Sequence, residues 1–183
     1  MIYVGSDLGG MSAKAGVFKD GELILKERVD TDPSDGAKGV AEKLAALARS
    51  VVAHAGLSFK DVQAVGIGSP GVIDSASGTV VKWGNYDWVR VPLAGAVADL
   101  TGKRVYLTND ANAAALGEAK FGVGSEYRDC ILVTLGTGVG GGIVLDGKLF
   151  EGFRSAGGEV GHMVIKTRGR PCACGTQGCF EKY

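Results

Sequence analysis

Apolar and polar positions alternate along the first thirty residues. IYVGSDL trades them almost one for one and carries β-branched residues, which predicts a strand with one buried face. AKAGVF predicts a second strand and ELILKERVDT a third, with Asp20-Gly21 as the tight hairpin turn between them. Three strands on short turns make an antiparallel meander. The period then changes. Val40, Leu44, Leu47 and Val51 are spaced four, three and four apart, which is one face of a helix. Its interior is expected over Gly39 to Ala55, with Ser34 or Asp35 capping the start and Gly56 at the stop. VQAVGIGS (62–69) reads as a buried strand ended by Pro70-Gly71. A second helix is expected from Pro92 to near Gly102, a strand at VYLTND (105–110), and a helix over ANAAALGEAKFG. CILVTLGT (130–137) opens another strand, followed by VGGGIVLDGKLF.

The chain repeats itself. At an offset of 126, VFKDGEL lies over IVLDGKL, Asp20-Gly21 over Asp146-Gly147, Gly10 over Gly136 and Met11 over Thr137. Each copy reads strand, glycine loop, strand, Asp-Gly turn, strand. Two related β–loop–β units separated by α/β material predict two similar lobes facing each other, 1–110 and the start of a second at 111–183.

Composition narrows the class. Apolar residues make up 45% of the 183, enough for a core, and 20 acidic residues balance 20 basic ones. That balance gives no footprint for nucleic acid or an anionic membrane. No apolar run is long enough to span a bilayer and the N-terminus reads as a strand, so a soluble cytoplasmic protein is expected. Glycine, at 31 residues, is the outlier.

A glycine loop between strands exposes backbone N–H groups that can cradle phosphate, and LGTGVGGG adds the Thr137 hydroxyl. It is not a dinucleotide fingerprint, because it runs into a strand, and no Gly-Lys-Ser/Thr makes it a Walker loop. Each loop alone also fits a plain hairpin turn. In LTND, Asp110 stands where a strand hands over to a helix. It is either a helix cap or a base for phosphoryl transfer to an alcohol. His162, Cys172, Cys174 and Cys179 form H-x9-C-x-C-x4-C, a ligand set for structural tetrahedral zinc. An odd cluster of three thiols disfavours disulfides. Cys130 reads as a small core residue, and His54 as a partner of its helix dipole.

DLGG, GIGSPGVID, LTNDANAAALGE, VTLGTGVGGGIVLDG, SAGGEVGHM and CACGTQGCFE together resemble the ROK family of sugar kinases and repressors, its bacterial glucokinase branch in particular. The glycine loops are weakly specific, whereas GGEVGH with C-x-C-G-x2-G-C-x-E is highly specific. The resemblance implies an α/β fold of actin-like, hexokinase-like (ribonuclease-H-like) lobes around a cleft. It implies transfer of the ATP γ-phosphoryl group to a hexose hydroxyl with Mg2+ on the phosphates, most simply glucose to glucose 6-phosphate. It makes Asp110 the base. It assigns the sugar to Gly68, Gly71, Asn85, Asn109, Asp110, Glu159, His162 and Glu181, with His162 using one ring nitrogen for sugar and the other for zinc. It assigns the nucleotide phosphates to Asp7, Gly9, Gly10, Ser12, Gly136, Thr137 and Gly138, and implies a homodimer for the longer protein. Two departures stand out. Met11 replaces the usual threonine of the first loop, so that loop holds phosphate through Ser12 or backbone alone. Family kinases also run on for roughly another hundred residues, about a small domain, so the second lobe is expected to be incomplete. Other hexoses (fructose, mannose, an N-acetyl-hexosamine) and a non-catalytic sugar-binding regulator are the alternatives. The regulators usually carry a helix-turn-helix before the first strand, which this sequence lacks.

Overall fold

The computed structural model describes every residue except Thr137, and of Arg154 the backbone only. The chain divides into two compact units, Met1–Asp110 and Ala111–Tyr183.

In the first unit, strands β1 (Ile2–Leu8), β2 (Ser12–Lys19) and β3 (Glu22–Asp30) form the expected meander. Helix α1 (Gly36–His54) leads to β4 (Val62–Ser69). Three short strands follow, β5 (Val72–Asp74), β6 (Thr79–Trp83) and β7 (Trp88–Val91), then helix α2 (Leu93–Thr101) and β8 (Arg104–Asn109). The main sheet has the order β3-β2-β1-β4-β8, with β4 and β8 parallel to β1. Alternation along β1 buries Ile2, Val4, Ser6 and Leu8 and exposes Tyr3 and Asp7. The buried face takes Val40, Leu44, Leu47 and Val51 of α1, and α2 packs beside α1.

The start of α1 differs from expectation. Asp32, not Ser34 or Asp35, caps a short 3-10 turn at Pro33–Asp35. Its carboxylate accepts the Ser34 N–H at 2.8 Å, and its own N–H donates to Asp35 at 2.8 Å. Asp35 then leads into α1 with no side-chain cap bond, its carboxylate held 2.7 Å from Lys43 Nζ. At the far end Gly56 takes the expected positive φ of 70°. His54 lies in the last turn and also pairs with Glu27 on β3.

The small sheet β5-β6-β7 was not anticipated. It is held by an aromatic cluster in which Trp83 stacks on Tyr86 at 4.1 Å and Trp88 meets both edge-on at 5.3 Å.

Helix α3 (Asp110–Phe121) carries the chain into the second unit, where β9 (Cys130–Leu135), β10 (Val139–Leu145) and β11 (Lys148–Leu149) make an antiparallel sheet. Ala115 and Ala119 pack on Val144, with Cys130, Leu132 and Leu149 half-buried around them. Gly142 lets α3 approach, since a Cβ there would meet Ala115 and the Ala111 carbonyl. Gly141 likewise admits Val160 and Gly158. These two glycines serve packing, a role that a glycine-rich string does not reveal.

The two meanders share topology, and both Asp-Gly turns have positive φ at both residues. The offset of 126 holds from the loops onward. Before them it shifts by one, because Leu8 pairs with Ala13 whereas Leu135 pairs with Val139. The second loop is therefore one residue shorter. The Thr137 position opposite Met11 lies outside the described residues.

Candidate active site

Parallel strands β1, β4 and β8 all end on the same edge of the main sheet. Asp7 is in register with Gly68, Gly68 with Thr108, and Ser69 with Asn109. Loops leaving that edge are where open α/β sheets bind ligands. The glycine loop 9–11, the Pro70-Gly71 turn and the Asn109-Asp110 junction all leave from it.

The first loop is tightly stitched. Gly9 donates its N–H to the Ser12 carbonyl at 2.8 Å, so this amide closes the turn rather than facing a ligand. Ser12 begins β2, opposite Asp30, and Met11 is exposed. Asp7 lies on the exposed face of the sheet, its carboxylate 3.7 Å from Lys14 Nζ. Asn85 is exposed on a 3-10 turn (Gly84–Tyr86), and its Nδ2 would be 3.3 Å from a Cβ added at Gly10.

Gly71 has φ of 94°, and a Cβ there would collide with the Lys82 carbonyl. Its own carbonyl accepts a hydrogen bond from Asn109 Nδ2 at 3.2 Å, which orients that amide. Gly68 is buried in β4. Asp110 is the exposed first residue of α3.

In the second unit Gly136 donates its N–H to the Gly138 carbonyl at 2.9 Å. Gly138 faces Glu181, whose Oε2 would be 3.2 Å from an added Cβ. Glu159 is exposed at the head of the 3-10 turn Val160–His162, and its carbonyl accepts the His162 N–H at 3.0 Å.

His162, Cys172, Cys174 and Cys179 converge, with their ligand atoms all within 4.8 Å of one another. The carrier is a tight hairpin with isolated bridges Val164–Cys179 and Pro171–Gln177, turned at Gly175 and Gly178, where φ is 92° and 83°. Cys174 and Cys179 sulfurs are 3.5 Å apart, and Cys172 Sγ is 3.6 Å from His162 Nδ1. A tetrahedral zinc with ordinary bond lengths sets sulfurs about 3.8 Å apart and sulfur about 3.6 Å from nitrogen. The four residues are the right donor set for zinc, two of their separations already match a tetrahedral site, and Nδ1 is the His162 nitrogen that faces the Cys172 sulfur.

The surroundings tune these groups. Hydrogen bonds from the Thr176 hydroxyl, then from its amide, bring the Cys174 thiol down to about 6. For Cys172 the Cys174 amide is the largest single influence and pulls downward. Burial, the Glu181 carboxylate and the two neighbouring sulfurs together outweigh it and push the thiol up to about 12. Cys172 thus donates to Glu181 Oε1 at 3.2 Å, a proton that metal binding would displace. Glu181 is held below the usual carboxylate range, first by Lys182 Nζ at 2.9 Å and then by the Cys172 thiol, with the charges of Lys182 and His162 adding. Lys182 and Thr176 escaped the sequence reading, although both sit among residues it had singled out.

The ROK family model matches residues 3–183, and the chain belongs to the ROK family. It is 42% identical over 180 residues to the glucokinase of Thermotoga maritima, covering 97% of this chain and 55% of that protein. It is 37% identical over 163 residues to a xylose repressor of Caldicellulosiruptor bescii, covering 89% and 41%. A ROK family glucokinase of Streptomyces griseus, solved with glucose and AMPPNP, superposes with a TM-score of 0.84 at 40% identity, covering all of this chain and 57% of that one. The expected α/β fold of actin-like, ROK hexokinase-like lobes is thereby established. The chain spans about half the length of the relatives it matches.

Proposed function

We propose that this chain carries the sugar-binding and phosphate-loop portion of an ATP-dependent hexose kinase, with glucose, phosphorylated at its 6-hydroxyl, as the substrate. The observation that carries the reading is the alignment of Gly9–Met11, Gly68–Gly71 and Asn109-Asp110 on one carboxyl edge of the main sheet. A polyphosphate loop, a turn and a carboxylate then share one rim. The Glu159–His162–Glu181 group supplies the hydroxyl partners that a hexose demands.

Asp110 accepts the proton of the attacking hydroxyl, as the base in phosphoryl transfer must. Asn109, oriented by Gly71, pairs with a further hydroxyl. With Nδ1 of His162 turned to the thiols, its Nε2 carries the proton and donates to a sugar oxygen. Magnesium-ATP is the second substrate, its phosphates met by the Gly10 and Met11 amides of the first loop. Zinc, when bound, is structural, because four protein ligands close its shell. Its ligands hold Glu181 and the Glu159 turn in place. The kinase reading is preferred to the regulator reading on Asp110, a carboxylate at the strand-to-helix junction suited to take a hydroxyl's proton.

The test is sugar-dependent release of ADP from magnesium-ATP by the full-length protein, wild type against Asp110→Asn. Turnover is expected to fall about a hundredfold to ten-thousandfold with little change in sugar affinity. Near-normal turnover removes Asp110 from the base role.

A further inference from the structure

Resting on the phosphate-loop reading above, we propose that Thr31 and Tyr86 are positioning residues that aim the Gly10 and Met11 amides at the bound phosphates. The argument follows the peptide planes of the first loop. In a trans peptide the C=O and the N–H of the next residue point in opposite directions. Whatever grips a carbonyl therefore also directs the amide behind it.

Two consecutive carbonyls are gripped here. The Thr31 hydroxyl donates to the Gly9 carbonyl at 3.4 Å, and the Tyr86 hydroxyl donates to the Gly10 carbonyl at 3.3 Å. The first bond turns the Gly10 N–H away from Thr31, and the second turns the Met11 N–H away from Tyr86. No protein acceptor engages either amide among the described residues. Both clamping side chains are firmly set. Thr31 is 5% exposed, and its N–H donates to the Met11 carbonyl at 3.1 Å. Tyr86 is 6% exposed and sandwiched in the Trp83–Trp88 cluster.

The arrangement answers the departure at Met11. A methionine side chain donates no hydrogen bond, and this one is 81% exposed. The donor that a threonine would supply is replaced by main-chain amides, and main-chain amides bind well only when their direction is fixed beforehand. Tyr86 belongs to the same turn as the sugar candidate Asn85, so the sugar-side turn also braces the phosphate side. Both hydroxyl bonds are long for O–H···O, so the expected effects are moderate.

The experiment is an amide NMR titration of the chain with magnesium tripolyphosphate, a probe with a phosphate chain and no base. In wild type the Gly10 and Met11 amide protons are expected to move downfield. Thr31→Val is expected to blunt the Gly10 shift and Tyr86→Phe the Met11 shift, each leaving the other in place. Affinity for the probe should fall about threefold to tenfold in each variant, with glucose binding unchanged. Thr31→Ser, which keeps the hydroxyl, should restore the Gly10 response. The amide spectra report directly whether each variant is folded. If both variants keep wild-type shifts and affinity, the positioning role is wrong while the kinase reading stands. If wild type shows no response at Gly10 or Met11, the phosphate-loop reading fails, and this inference with it.

Discussion

Lys43 and the Asp32 amide both reach the carboxylate of Asp35, in that order of influence, and hold it below the usual carboxylate range. A carboxyl depressed by folding stabilises the native state above its unfolded pKa and stops doing so as pH falls through the folded value. Asp35→Asn should therefore melt at a lower temperature than wild type at pH 7. The gap should close as pH drops below about 4, the ordinary carboxylate value. A gap that persists unchanged in acid would assign it to packing instead. Asp35 and Asp110 both stand at the head of a helix: Asp35 takes part in the Asp32 cap network, and Asp110 opens α3 at the carboxyl edge of the main sheet.

Among elements, the turn between β4 and β5 carries a strict backbone demand. Gly71 needs positive φ and has no room for a Cβ beside Lys82. Gly71→Ala should cost about 1–3 kcal/mol or more by denaturant unfolding, since both strain and collision must be relieved. A cost near zero would show that the turn relaxes freely. The sequence made the long elements legible. β1 and β4 match the expected bounds, and α1, α2 and α3 depart by a few residues at their ends, because a sustained period of two or 3.6 identifies them. Strands β5 to β7 escaped because three to five residues carry too little period, and their aromatic cluster only makes sense once folded. The convergence of His162 with Cys172, Cys174 and Cys179 was legible from their spacing, since a short hairpin brings the cysteines together. The clamping hydroxyls of Thr31 and Tyr86 were not, because each acts on a backbone carbonyl far away in sequence.

At the scale of the whole molecule, apolar burial is unequal. The large core, from Ile2 to Leu107, belongs entirely to the first unit. Among the described residues the second unit's cluster buries Ala115, Ala119 and Val144 alone, and one face of β9 leaves Ile131, Val133 and Leu135 exposed. In the first copy of the repeat the matching residues Val4, Ser6 and Leu8 are buried. When it binds metal, the Cys3His cluster would staple the hairpin at 164–183. One zinc per chain is expected in protein purified without chelator. Stripping it should raise amide hydrogen exchange across 164–183 while leaving the unfolding of the first unit, reported by Trp83 and Trp88, unchanged. Metal-free protein with the same exchange pattern would defeat the staple.

The most direct test of the proposed hexose site is a calorimetric titration of this chain with glucose, repeated on Glu181→Gln and on zinc-stripped protein. Saturable binding of one glucose is expected, weakened at least about tenfold by Glu181→Gln and lost with the zinc. No binding at millimolar glucose, or equal binding in all three samples, would contradict a hexose site built around Glu181 and the metal-held hairpin.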